Sequence, residues 1–169
     1  MDGAELRAVQ QPLKDAYRDD ATRALVTLRA QGMVGEGVTC SVQAGRALAE
    51  AGLHPASGGD GLSLCSGDML LEALVACAGV TLAAVSTSLG IELRTAEVKA
   101  EGDLDFRGTL GVAKDVPVGF AAIRLTFELD TDADEPSVAK LLELTERYCV
   151  VLQTIRCSPS ITSEVRLAS

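Results

Sequence analysis

Apolar positions recur along this chain with two periods, and each period predicts a different element. In residues 12–29, Tyr17, Ala21, Ala24, Leu25 and Leu28 fall on one stripe, as in an amphipathic helix. In 37–44, Val38, Cys40, Val42 and Ala44 alternate with Thr39, Ser41 and Gln43, the period of a half-buried strand. Cys40 is then most simply a small buried hydrophobe. Gly52, Pro55, Gly58, Gly59, Gly61 and Gly67 mark 52–67 as loop. From 68 to 89 the chain is apolar on nearly every side, through Met69, Leu70, Leu71, Leu74, Ala78 and Leu82. That predicts a buried helix packed on several neighbours. Ser66 or Asp68 would cap its start and Gly90 would end it.

Alternation returns at Ala96, Val98 and Ala100, and the strand it predicts extends toward Phe106. Gly108–Val118 has no clear period. Ile123, Leu125, Phe127 and Leu129 alternate with Arg124, Thr126, Glu128 and Asp130 as a second half-buried strand. Asp134, Glu135 and Pro136 then open a helix, since acid and proline suit a helix N-terminus. Its stripe runs through Val138, Leu141, Leu142, Thr145, Tyr148, Cys149 and Leu152. Ile161, Ser163, Val165 and Leu167 predict a closing strand. Strands and helices mix without regular βα alternation, so the expected class is α+β. No internal repeat or long linker divides the chain.

Composition narrows the function. The 169 residues suit one domain or one subunit of a small oligomer, and with five aromatic residues the core must be Ala, Val and Leu. A net charge of −9 argues against nucleic acid, whose phosphates require clustered cations. It also argues against an anionic membrane surface. The first thirty residues hold five acids and no apolar targeting stretch, and the apolar run 73–84 is short for a bilayer. A soluble, cytoplasmic protein is expected. Ser57-Gly58-Gly59-Asp60-Gly61 lacks the Lys-Ser/Thr ending of a phosphate loop. With His54 as the lone histidine and no C-x-x-C pair, neither a zinc site nor another metal or cofactor is expected.

The remaining chemistry is thiol chemistry. Cys40, Cys65, Cys77, Cys149 and Cys157 are odd in number and irregular in spacing, unlike a secreted disulfide framework. A Cys inside an Ala-rich buried helix is ordinarily packing, and this holds for both Cys77 and Cys149. Each, however, faces inward from a long predicted helix, and two such thiols meeting across a core could reduce a peroxide by forming a disulfide. Mid-helix, Cys77 gains little from the helix dipole, so a reactive thiolate there would call for a nearby arginine or similar cation.

Three segments resemble the OsmC/Ohr family. Ser66-Gly67-Asp68-Met69-Leu70-Leu71-Glu72-Ala73-Leu74-Val75-Ala76-Cys77 resembles its first signature, an acid followed by a Leu/Ala-rich helix ending on Cys. Glu146-Arg147-Tyr148-Cys149-Val150-Val151 resembles its second, and Gly102-Asp103-Leu104-Asp105-Phe106-Arg107-Gly108 its acid-x-Arg-Gly segment. The resemblance covers 37–169, with 1–36 as an N-terminal helical extension. It implies an α+β fold with two central helices and an intertwined homodimer with active sites at the interface. It also implies reduction of organic hydroperoxides, with Cys77 as the peroxidatic thiol, Cys149 as the resolving thiol, and a dithiol or lipoyl-bearing protein as reductant.

The family pairs an arginine with a glutamate beside the first Cys. Arg46 is the matching candidate here, while Arg107 suits a structural ion pair. Asp68, nine residues before Cys77, stands where peroxidase members carry Glu. Nine helical residues would set it about 180° around the axis and about 13 Å along it from Cys77. It can assist only if residues 66–68 fold back as loop. Val150 replaces the Pro that often follows the second Cys. A non-catalytic module of the same fold, holding a small apolar ligand at a dimer interface, is the alternative.

Overall fold

A computed structural model describes residues 2–20, 25, 32–34, 39–44, 47–111 and 113–167. The chain opens with α1 (Gly3–Asp19) rather than with a helix at 12. The signal is a capping box: the Asp2 carboxylate accepts the Ala4 and Glu5 N–H groups, and Glu5 accepts the Asp2 N–H. Pro12, which more often opens a helix, lies inside this one. The helix stops at Asp19, and Leu25 lies outside any helix and 82% exposed. Ala21, Ala24 and Leu28 of the predicted stripe fall outside the described residues.

Four strands make the first sheet: β1 (Gly32–Val34), β2 (Thr39–Ala44), β3 (Ala47–Gly52) and β4 (Leu64–Cys65), in that spatial order. β2 and β3 pair antiparallel with Cys40 opposite Ala51, and β4 joins β3 in parallel. The expected loop at 52–67 thus contains β4 and a 3-10 turn at Pro55–Ser57. β4 also carries the sheet onto the helix that follows it.

That helix, α2 (Ser66–Leu89), is the axis of the fold. It ends on Gly90 in the left-handed conformation (φ 71°), where the Gly90 N–H reaches back to Ser86 and Thr87 carbonyls. By length and composition it could cross a bilayer. Here it packs against α1, a two-stranded sheet and two later helices. One stripe, Leu74, Ala78, Leu82 and Ser86, is buried at the four-residue spacing of a single helix face. The other faces are incompletely covered: Val80 is 73% exposed and Leu70 42%.

The two-stranded sheet is β5 (Thr95–Asp103) and β6 (Ala122–Asp130), antiparallel, with Val98 opposite Phe127 and Ala100 opposite Leu125. Val98, Ala100, Ile123, Leu125 and Phe127 face the core while the intervening residues face out, as their alternation predicts. Between the strands, Phe106–Thr109 is a short helix, α3, rather than an extension of β5. Asp105 caps it and grips Arg107 at 2.5 Å. This pairing holds the Asp105 carboxyl at about 2, chiefly through the Arg107 side chain.

The helix expected over 134–152 is two helices. α4 (Glu135–Tyr148) begins as predicted, with Asp134 accepting the Ser137 N–H, and α5 (Val150–Arg156) follows after a break at Cys149. Leu141, Thr145, Cys149 and Leu152 are buried as the stripe predicts, but Tyr148 is 58% exposed and stacks beneath Arg147. The closing strand does not form. Residues 158–167 are irregular, and no described strand pairs with them, leaving Ile161 84% exposed.

Candidate active site

The break between α4 and α5 creates the site. Cys149 adopts extended backbone (φ −71°, ψ 104°), ending α4 with its own N–H on the Thr145 carbonyl at 3.0 Å. Its side chain, with no exposed surface, enters the core beside Leu74, Ala78 and Leu152. Cys77, on α2, is half-buried and packs against the same cluster. The two thiols are therefore hydrogen-bonding neighbours across the α2–α5 contact.

Their acidities diverge. Burial pushes the Cys77 thiol up, but the Val151 N–H, the Cys149 thiol and the Val150 N–H together outweigh it and lower its pKa. Burial pushes the Cys149 thiol up, and the adjacent Cys77 sulfur raises it further. Of the two, Cys77 is the easier thiolate and Cys149 holds its proton more tightly. Among the described residues, the groups that lower the Cys77 thiol are backbone N–H groups at the start of α5 and neighbouring side chains, with no cation among them. Thr81, one turn on, donates its hydroxyl to the Cys77 carbonyl at 2.7 Å.

A groove of about 610 Å³ runs along α2 between α1 and α4, with Thr81, one turn from Cys77, among its lining residues. Val80, Ala84, Val85 and Leu89 form its floor, Leu6 and Lys14 one wall, and Leu144 and Tyr148 the other. Cys77 shares a helix face with the lining residues Thr81, Ala84 and Ser88, which follow it at spacings of four, three and four.

The other predicted residues lie elsewhere. α2 already begins at Ser66, so Asp68 is helical, exposed, and on the face opposite Cys77. The loop conformation that its assistance requires is absent. Asp68 instead edges a separate surface hollow with Leu71, Glu72 and Val75. Arg46 lies outside the described residues. Among the described residues, no three His, Cys, Asp or Glu side chains gather where they could hold a metal ion.

The OsmC-like protein family model matches residues 58–164, which include both helices that meet at the thiols. The chain belongs to the OsmC-like family. No curated protein matches it. Among solved structures, an OsmC-like protein of Mycoplasma pneumoniae superposes with a TM-score of 0.65 at 14% identity, over 79% of this chain and 89% of its own. An organic hydroperoxide resistance protein of Legionella pneumophila gives 0.61 at 18% identity, over 79% and 91%. The organic hydroperoxide resistance protein OhrB of Bacillus subtilis gives 0.54 at 17% identity, over 79% and 93%. At such identities the superpositions establish the OsmC-like α+β fold.

Two contributors to the site carry no signature in the sequence. The Val150 and Val151 donors are backbone groups, available from any residue but proline. A proline after the second Cys, which the family often carries, would mark a helix start there, and this chain has Val150 instead.

Proposed function

We propose that this OsmC-like protein is a thiol peroxidase for organic hydroperoxides, with Cys77 as nucleophile and Cys149 as resolving thiol. The observation that carries the reading is the contact between two thiols whose acidities are shifted in opposite directions. The Cys77 thiolate attacks the terminal oxygen of ROOH. A sulfur–oxygen bond forms, the O–O bond breaks, and the alkoxide leaves to take a proton as ROH. Cys77 is then a neutral sulfenic acid, and its push on the Cys149 pKa disappears, so Cys149 ionises more readily when it is needed. Its attack on the sulfenic sulfur forms the disulfide and releases water. An external dithiol, including a lipoyl-type one, returns both thiols.

The apolar groove suits the tail of an alkyl or lipid hydroperoxide over hydrogen peroxide. A homodimer belongs to the same proposal. The exposed Leu70 and Val80 of α2 leave apolar surface for a second copy to cover. The acidic surface and unpaired thiols suit the cytoplasm.

The position of Asp68 favours a second reading, a binding module that kept the fold and holds an apolar ligand with inert thiols. Stopped-flow mixing of reduced protein with cumene hydroperoxide separates the two. The peroxidase consumes one equivalent rapidly and links Cys77 to Cys149 by peptide mapping. Cys77→Ser abolishes consumption, and Cys149→Ser gives one turnover and stalls. No consumption by the parent, or a disulfide through Cys65 or Cys157, would sink the mechanism.

A further inference from the structure

In an uninterrupted helix through 135–156, the Val150 N–H would bond the Glu146 carbonyl and the Val151 N–H the Arg147 carbonyl. The extended backbone at Cys149 breaks that ladder and releases both donors toward Cys77. The break should leave the Glu146 carbonyl without its partner. It has one: the Gln153 side-chain Nε2 donates to it at 2.8 Å. Gln153 sits on α5 itself, so this single bond spans the corner from the far side. Arg156 adds an ion pair to the Glu146 carboxylate at 2.9 Å, which is solvent-exposed.

We propose that Gln153 is a positioning residue for the Cys77 thiolate: its amide takes over the carbonyl that Val150 has given up, holding the α4–α5 corner bent with the Val150 and Val151 N–H groups turned to the Cys77 sulfur. Remove that donor and the half-buried Glu146 carbonyl is satisfied most directly by the Val150 N–H, which rebuilds the straight helix. The nucleophile would then lose a donor by competition, without any change in a residue that touches it. The Arg156 pair cannot substitute, because it engages the carboxylate and leaves the carbonyl open.

The test is the pH profile of iodoacetamide alkylation at Cys77, read by mass spectrometry on the reduced full chain. Gln153→Leu keeps the volume and removes the donor. It should shift the profile to higher pH and slow alkylation about three- to tenfold on its low-pH limb, the scale of one hydrogen bond, with the high-pH plateau unchanged. Gln153→Lys restores a donor and should return the profile toward the parent. Gln153→Glu, an acceptor facing a carbonyl, should shift it at least as far as Leu. Arg156→Gln should leave it in place. A parental profile in Gln153→Leu overturns the proposal, as does a Lys variant no better than Leu. If the Leu variant fails to fold, the Glu and Lys variants decide, and identical profiles in those two overturn it. The inference rests on the peroxidase reading only for its catalytic consequence, because alkylation needs no peroxide. A shifted profile in a protein that consumes no hydroperoxide would refute that reading and leave this one standing.

Discussion

Replacing Cys149 by serine and by alanine should separate its two roles, because only one of them needs sulfur. In the reduced protein its thiol donates to Cys77, and either thiol or hydroxyl can fill that role. Alanine cannot. A hydrogen bond to a charged acceptor contributes about 1.5–3 kcal/mol, and a thiol is a weak donor, so about 1 kcal/mol is a fair value for this one. At any pH below the Cys77 pKa, that is about a fivefold loss of thiolate. Iodoacetamide should therefore alkylate Cys77 about five times more slowly in Cys149→Ala, and within about twofold of the parent rate in Cys149→Ser. Neither variant can form the disulfide. Because Cys149 is fully buried, the alanine also leaves a small void, expected to cost about 1 kcal/mol in thermal or urea unfolding. Equal alkylation rates in the two variants, with both folded, would refute the claim that the Cys149 proton supports the Cys77 thiolate.

Leu74→Ala should destabilise the fold by about 2–5 kcal/mol in urea titration, since Leu74 is fully buried at the start of the α2 stripe. Ala84→Phe should fill the groove and raise KM for a long-chain hydroperoxide several-fold, while Cys77 alkylation stays at the parent rate. Sedimentation should find a homodimer at micromolar concentration, and a stable monomer would remove that part of the proposal.

The elements that were legible in the sequence are those whose partner faces are local and periodic. β6 alternates through Ile123, Leu125 and Phe127, and α4 announces itself with Asp134-Glu135-Pro136. β3 was not legible, because Ala47–Gly52 has no alternation and becomes a strand through its pairing with β2. The segment 161–167 shows the opposite case, an alternating pattern with no described strand to pair with. The Cys77 and Cys149 pairing could be foreseen because both lie on core-facing stripes. The corner that activates it could not, because the three- and four-residue spacing runs unbroken from Val138 to Leu152 and neither Gly nor Pro marks the stop.

The unequal burial of the two thiols also gives any disulfide between them a polarity. Cys149 has no exposed surface and Cys77 is half-buried, so an incoming reductant would reach only the Cys77 sulfur. Attack there must expel Cys149, whose thiol is pushed up by its burial. A leaving thiol of higher pKa departs more slowly. The asymmetry that favours oxidation thus opposes regeneration, and the resting species during turnover would be the oxidised protein awaiting its reductant.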